Sequence, residues 1–92
     1  MNPETIVRRN PRVVARELSD TAGAVLLHLE TGAYHGLNPV GWVVWELIDG
    51  HRTVAELIDG VRARIDDPPP GVANDVTTFL DGAQARGLVF VD

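Results

Sequence analysis

From Arg12 to Leu37 the chain runs in short segments of strand-like alternation, and from Pro39 to Arg86 its apolar residues recur three and four apart. The first pattern belongs to strands and the second to helices. Arg12-Val13-Val14-Ala15-Arg16-Glu17-Leu18 is β-branched enough for a first strand. Ser19-Asp20-Thr21-Ala22-Gly23 is a turn cluster. In Ala24 to Glu30, one face carries Val25, Leu27 and Leu29, and the other carries Leu26, His28 and Glu30. This predicts a strand whose apolar face is fully buried. Thr31-Gly32 then signals a hairpin, and Ala33-Tyr34-His35-Gly36-Leu37 is the third strand. Connections this short give an antiparallel meander with the third strand at an edge.

Asn38 followed by Pro39 is a helix start, a capping side chain and then a residue whose φ is already helical. That helix is predicted over Pro39 to Asp49, with Val40, Val43, Val44, Leu47 and Ile48 as its apolar stripe and Gly50 as its stop. Thr53-Val54-Ala55-Glu56 is a capping box opening a second helix, with Val54, Leu57, Ile58, Val61 and Ile65 on one face. Pro68-Pro69-Pro70-Gly71 is a loop. A third helix runs from about Val72 to Arg86 and a last short strand over Leu88 to Val91. The order β-β-β-α-α-α-β is an α+β architecture. A three-stranded antiparallel sheet precedes three helices and a short C-terminal strand, in the outline of a winged helix-turn-helix. Residues 1–11, interrupted by Pro3 and Pro11, are predicted to form an arm without regular pairing, ahead of a domain over 12–92.

Composition narrows the functions open to such a domain. With 92 residues there is little room for a deep catalytic cavity. The absence of cysteine removes thiolate nucleophiles, disulfides and Cys-based metal sites. The single serine, Ser19, lies in a turn outside any nucleophile elbow, and no phosphate-binding glycine motif occurs. Glu46, Asp49, Glu56 and Asp59 fall on outer helix faces. His28 and His35 sit on neighbouring strands, but only Glu30 is at ligand spacing, so both are expected to be half-exposed strand residues and not metal ligands. His51 belongs to a solvated turn. These readings predict a protein that is not an enzyme and has no cofactor or metal. No segment resembles a signal peptide or a bilayer span, so a soluble cytoplasmic protein is expected, without a membrane partner.

The net charge is −5, from 13 acids against 8 bases. A nucleic-acid partner would need a basic face to neutralise phosphates. The exposed positions of the third helix instead include Asp75 and Asp81, with only Asn74, Gln84 and Arg86 suited to base edges. Charge therefore argues against a winged-helix DNA-binding protein.

What remains is the edge strand. Ala33 to Leu37 carries no charge, proline or other device that blunts an exposed edge, so an extended peptide is able to pair with it. The third helix is placed to form the opposite wall, with Phe79 and Val76 as a floor and Val72 and Leu80 in the core. The same edge would also serve a structural subunit that dimerises. Trp45 is assigned to the core; Trp42 is open between core and docking patch.

Leu37-Asn38-Pro39, then Trp45-Glu46-Leu47-Ile48-Asp49-Gly50, Thr53-Val54-Ala55-Glu56-Leu57 and a closing Val76, Phe79-Leu80, Gly87-Leu88-Val89 resemble the PqqD-like family in order and spacing. That family's fold serves as the RiPP recognition element, a binder of leader peptides. The chain looks most like the stand-alone recognition proteins of lasso-peptide pathways. The resemblance implies a leader paired with Ala33, Tyr34, His35, Gly36 and Leu37 and lying beside Asp75, Val76, Phe79 and Ala83. It also implies an aromatic and a proline of the leader in an apolar pocket. The partners so implied are a transglutaminase-like leader peptidase and a macrolactam synthetase acting as cyclase. A PqqD-type peptide chaperone serving a radical enzyme is the alternative.

Overall fold

Asn38 and Thr53 start two helices by the same chemistry. The Asn38 Oδ1 accepts the Gly41 N–H at 2.7 Å, with Pro39 in the first turn, and α1 (Pro39–Leu47) follows. The Thr53 Oγ1 accepts the Glu56 N–H at 3.2 Å while Glu56 Oε1 accepts the Thr53 N–H at 3.0 Å, opening α2 (Val54–Arg64). Both satisfy backbone donors that a helix leaves orphaned at its start. Thr53→Ala is accordingly expected to cost about 1 kcal/mol, read as a lower urea midpoint with an unchanged slope.

The computed structural model describes residues 1–19, 23–68 and 70–92. The centre of the predicted turn, residues 20–22, and the middle of the proline run lie outside them. The helical layer is completed by α3 (Val72–Ala85). Strands β2 (Val13–Ser19), β3 (Gly23–His28) and β4 (Tyr34–Leu37) form an antiparallel sheet in that order. The architecture is the α+β one expected. Helix α1 ends two residues before Asp49. Arg9 donates to the Trp45 and Glu46 carbonyls and Arg52 to that of Leu47, so side chains take the last acceptors instead of a further turn. Asp49 instead shapes the turn to α2. Its carboxylate accepts the His51 and Arg52 N–H groups, both at 2.9 Å, and is held below the ordinary carboxylate range, first by the His51 bond. A depressed carboxylate contributes stability above its unfolded pKa, and that contribution is lost as pH falls through the folded value.

The expected unpaired arm is a strand. β1 (Val7–Arg9) pairs antiparallel with β5 (Val89–Val91), matching Val7 to Val91 and Arg9 to Val89. Val7 is fully buried. Pro3 and Pro11 lie outside this three-residue ladder, so neither removes one of its donors.

The sheet also turns the other way from the expectation. Ala24, Leu26 and His28 are the buried face of β3, and Leu29 is exposed. The helices lie on the Leu26 side, where Leu26 joins Val44, Ile48, Leu57, Val61, Val76 and Leu80 in one core. His28, expected to be half-exposed, is only 6 % exposed, and its Nδ1 accepts the Glu30 N–H at 3.2 Å. The opposite face leaves Val14, Leu18, Val25, Leu27 and Tyr34 around an open apolar hollow of about 540 Å³. Trp45 is buried in the core, as assigned, and Trp42 is half-buried against it.

Candidate functional site: a groove between the edge strand and the third helix

β4 has one neighbour, so one row of its backbone groups is unpaired within the fold. The register fixes which. Tyr34 lies opposite Leu27, Gly36 opposite Val25, and the His28 N–H donates to the Ala33 carbonyl at 3.0 Å. Antiparallel ladders alternate bonded and non-bonded pairs. His35 and Leu37 therefore direct their N–H and C=O toward β3, and Ala33 its C=O alone, its N–H donating to the Thr31 hydroxyl, while Tyr34 and Gly36 direct theirs outward. The other edge, β2, carries Arg16 and Glu17 and a register irregularity between Glu17 and Ser19. Charges and bulges discourage strand addition. β4 has neither, and Tyr34 stands 72 % exposed.

The third helix faces that edge. Asp75, Phe79, Gly82 and Arg86 succeed one another at four, three and four residues, which places them along one line of α3. Beside them, Val72, Val76, Leu80 and Ala83 form the buried stripe. Two hollows open between strand and helix. One, of about 360 Å³, is lined by Tyr34 to Asn38 on one side and by Phe79, Ala83, Arg86 and Leu88 on the other. The next, of about 520 Å³, lies between the first turn of α1 (Asn38, Val40, Gly41) and Asp75, Thr78, Phe79, Gly82 and Arg86. Asn38, Phe79 and Arg86 line both, so the hollows form one groove. A Cβ at Gly41 would sit 3.4 Å from the Phe79 ring, so glycine there lets α1 close against the aromatic that divides the groove.

Of the positions expected from sequence, Tyr34, His35, Gly36, Leu37, Phe79 and Ala83 line the first hollow and Asp75 the second. Ala33, just ahead of β4, lines neither, and Val76 does not reach either. It is fully buried one step round the helix from Phe79, packed as core. The lining residues that sequence reasoning passed over are Asn38, Val40, Gly41, Thr78, Gly82, Arg86 and Leu88. Asn38 was legible only as a cap and Arg86 only as a charge on an outer face. The spacing from Asp75 through Gly82 to Arg86 was the available signal. Among the described residues no cluster of three His, Cys, Asp or Glu side chains is placed to hold a metal ion. Among the described residues no helix is long and apolar enough to cross a membrane. The groove supplies unpaired backbone, an aromatic partition, small hollows and one charge of each sign on its helical wall. Such a surface suits an extended chain.

Known proteins resemble this chain in sequence and fold. The family model described as coenzyme PQQ synthesis protein D (PqqD) matches residues 23–89. A curated relative, PqqA binding protein 2 of Pseudomonas putida, is 45 % identical over 49 residues, which are 53 % of this chain and 52 % of that protein. The chain thus spans about half the length of the curated relative it matches. Among solved structures, TbiB1 in complex with the TbiA(beta) leader peptide superposes with a TM-score of 0.72 at 32 % identity, covering 89 % of this chain and 93 % of that one. A lasso peptide synthetase B1 complexed with the leader peptide superposes at 0.68 with 21 % identity, over 91 % and 96 % of the two chains, and shares the fold.

Proposed function

The chain belongs to the PqqD family, and on that premise we propose that it binds the leader segment of a ribosomally made precursor peptide and is not itself a catalyst. The observation that carries this reading is the outward row of Tyr34 and Gly36 backbone groups beside a groove whose other wall is α3. The leader adds to β4 as a further strand, so main-chain hydrogen bonds give affinity and the hollows beside Phe79 give selectivity. The likeness to TbiB1, whose structure holds a leader peptide, extends over nearly the whole of both chains and supports it.

In this reading Ala33, Tyr34, His35, Gly36 and Leu37 form the strand side of the site, and Asp75, Phe79 and Ala83 the helix side. Val76 acts from beneath by supporting Phe79. The bound protein tethers the precursor and raises its effective concentration at a transglutaminase-like leader peptidase and a macrolactam synthetase, as in a lasso-peptide pathway. The identity with PqqA binding protein 2 favours a second reading, a peptide chaperone serving a radical enzyme. Both act in the cytoplasm on a leader.

The test is titration of the chain with the labelled leader peptide of the precursor encoded beside it, followed by fluorescence anisotropy. Saturable one-to-one binding at micromolar protein is expected. A flat titration with correctly folded protein removes the proposal. Reconstitution with each class of partner enzyme then separates the two readings, because only the true partner processes the precursor faster when this protein is present.

A further inference from the structure

Among the described residues the side chain of Arg86 has no ion-pair or hydrogen-bond partner, whereas five other arginines have one. Arg8 pairs with Asp92, Arg52 with Asp49, Arg62 with Asp59 and Arg64 with Glu46, and Arg9 bonds to helix carbonyls. Among the described residues Arg12, Arg16 and Arg86 make no ion pair and no side-chain hydrogen bond. Of these only Arg86 lines the groove, and it lines both hollows. Its position is prepared by the helix. A Cβ at Gly82 would stand 3.0 Å from the Arg86 Nη1, so the guanidinium lies back over the bare backbone of Gly82, along the groove wall. Glycine inside a helix costs about 1 kcal/mol relative to alanine. Here it opens the space that the guanidinium occupies.

The other charge on that wall is Asp75. Eleven residues of helix separate the two, roughly 16 Å at about 1.5 Å per residue. No salt bridge joins them. Asp75 lies at the α1 end of the groove, and Arg86 reaches the stretch facing Tyr34 to Leu37. The helical wall is thus electrically polar along its length.

We propose that Arg86 reads a carboxylate side chain on the bound peptide, and that Asp75, by its opposite sign, favours a basic residue toward the other end and so fixes the direction and register of the peptide. This deepens the leader-binding reading and rests on it. An extended peptide advances about 3.3 Å per residue, so the two charges sit about four or five residues apart in the ligand. A peptide laid in reverse meets like charge at both ends, and that repulsion is what rejects it. A guanidinium not committed elsewhere loses no existing bond when it turns to the ligand, and it offers a fork matched to a carboxylate.

The experiment is selection of a phage-displayed library of random 15-residue peptides against the intact chain, its Arg86→Gln, Arg86→Glu and Gly82→Ala variants. The unmodified chain is expected to enrich peptides with Asp or Glu at one fixed position and Lys or Arg four or five residues away. Arg86→Glu is expected to enrich Lys or Arg at the first of these positions, and Gly82→Ala, which helix propensity favours, to lose the acid preference. For one enriched peptide titrated at low salt, Arg86→Gln and replacement of the peptide's acid by Gln are each expected to weaken binding about fivefold. The two together should weaken it no further, as for partners in one contact. Arg86→Gln removes the charge at an exposed helix end without adding a repulsive one, so it decides the matter even if Arg86→Glu does not fold. Enriched peptides that show no charge preference, or that are unchanged by Arg86→Gln, overturn this inference and leave leader binding standing. Failure to enrich any peptide overturns both.

Discussion

Proline at position 34 is expected to weaken capture of the leader peptide by roughly thirtyfold or more while the chain stays folded. The Tyr34 N–H points away from β3, so its removal leaves the β3–β4 ladder its bonds. The incoming strand loses a donor, and its own carbonyl is left facing a pyrrolidine ring. A missing hydrogen bond with a stranded partner costs about 2 kcal/mol, which is about thirtyfold in affinity. Tyr34→Ala separates backbone from side chain, because it keeps the N–H and removes only the exposed ring. Its effect should be several times smaller. Circular dichroism of Tyr34→Pro should overlay that of the parent protein. Equal losses for the two variants would place the ligand on the ring and not on the strand edge.

Gly23→Ala is expected to destabilise the fold by about 3 kcal/mol and to reduce peptide binding with it. Gly23 has φ +79, in the left-handed region, where an L side chain costs about 1–2 kcal/mol. A Cβ there would also overlap the Leu37 carbonyl and crowd the Asn38 backbone. Overpacking of this kind adds about 1–3 kcal/mol. The neighbour pushed aside is the end of β4 together with the residue that caps α1, so the damage falls on the groove and not only on the core. Urea unfolding reads the first effect. The peptide titration, run where the variant is still folded, reads the second. Gly36→Ala is the control for the first effect: a Cβ there meets nothing within 4 Å of the fold, so the urea midpoint should stay near the parent value.

These two glycines show what was legible in the sequence and what was not. The helices were, because each carries its own cap and its own apolar stripe, and those signals are local. The strand edge was, because short connections force sequential pairing and leave Tyr34 to Leu37 outermost. The buried face of β3 was not. Val25 and Leu27 are as apolar as Ala24 and Leu26, and which side the helices cover is decided by packing at long range. Strand β1 was not, since its partner β5 lies at the far end of the sequence and three residues give no period. On the helical wall, Phe79, Ala83 and Asp75 line the groove, while Val76, on the same apolar pattern, packs in the core. Arg86 and Gly82 matter through each other, and a guanidinium resting on a glycine leaves no trace in a pattern of apolar residues.

The pairing of β1 with β5 bears on how such a unit is built into larger proteins. Val7 stands beside Val91, and Arg8 is tied to Asp92 at 3.1 Å. The two antiparallel strands lie about 5 Å apart. Ahead of β1 the chain runs on to the start of α2, where the Thr5 and Pro3 carbonyls accept the Val54 and Ala55 N–H groups. Neither β1 nor β5 borders the free edge of β4. A host domain joined beside β1 and β5 would thus leave the β4 edge open to a further strand.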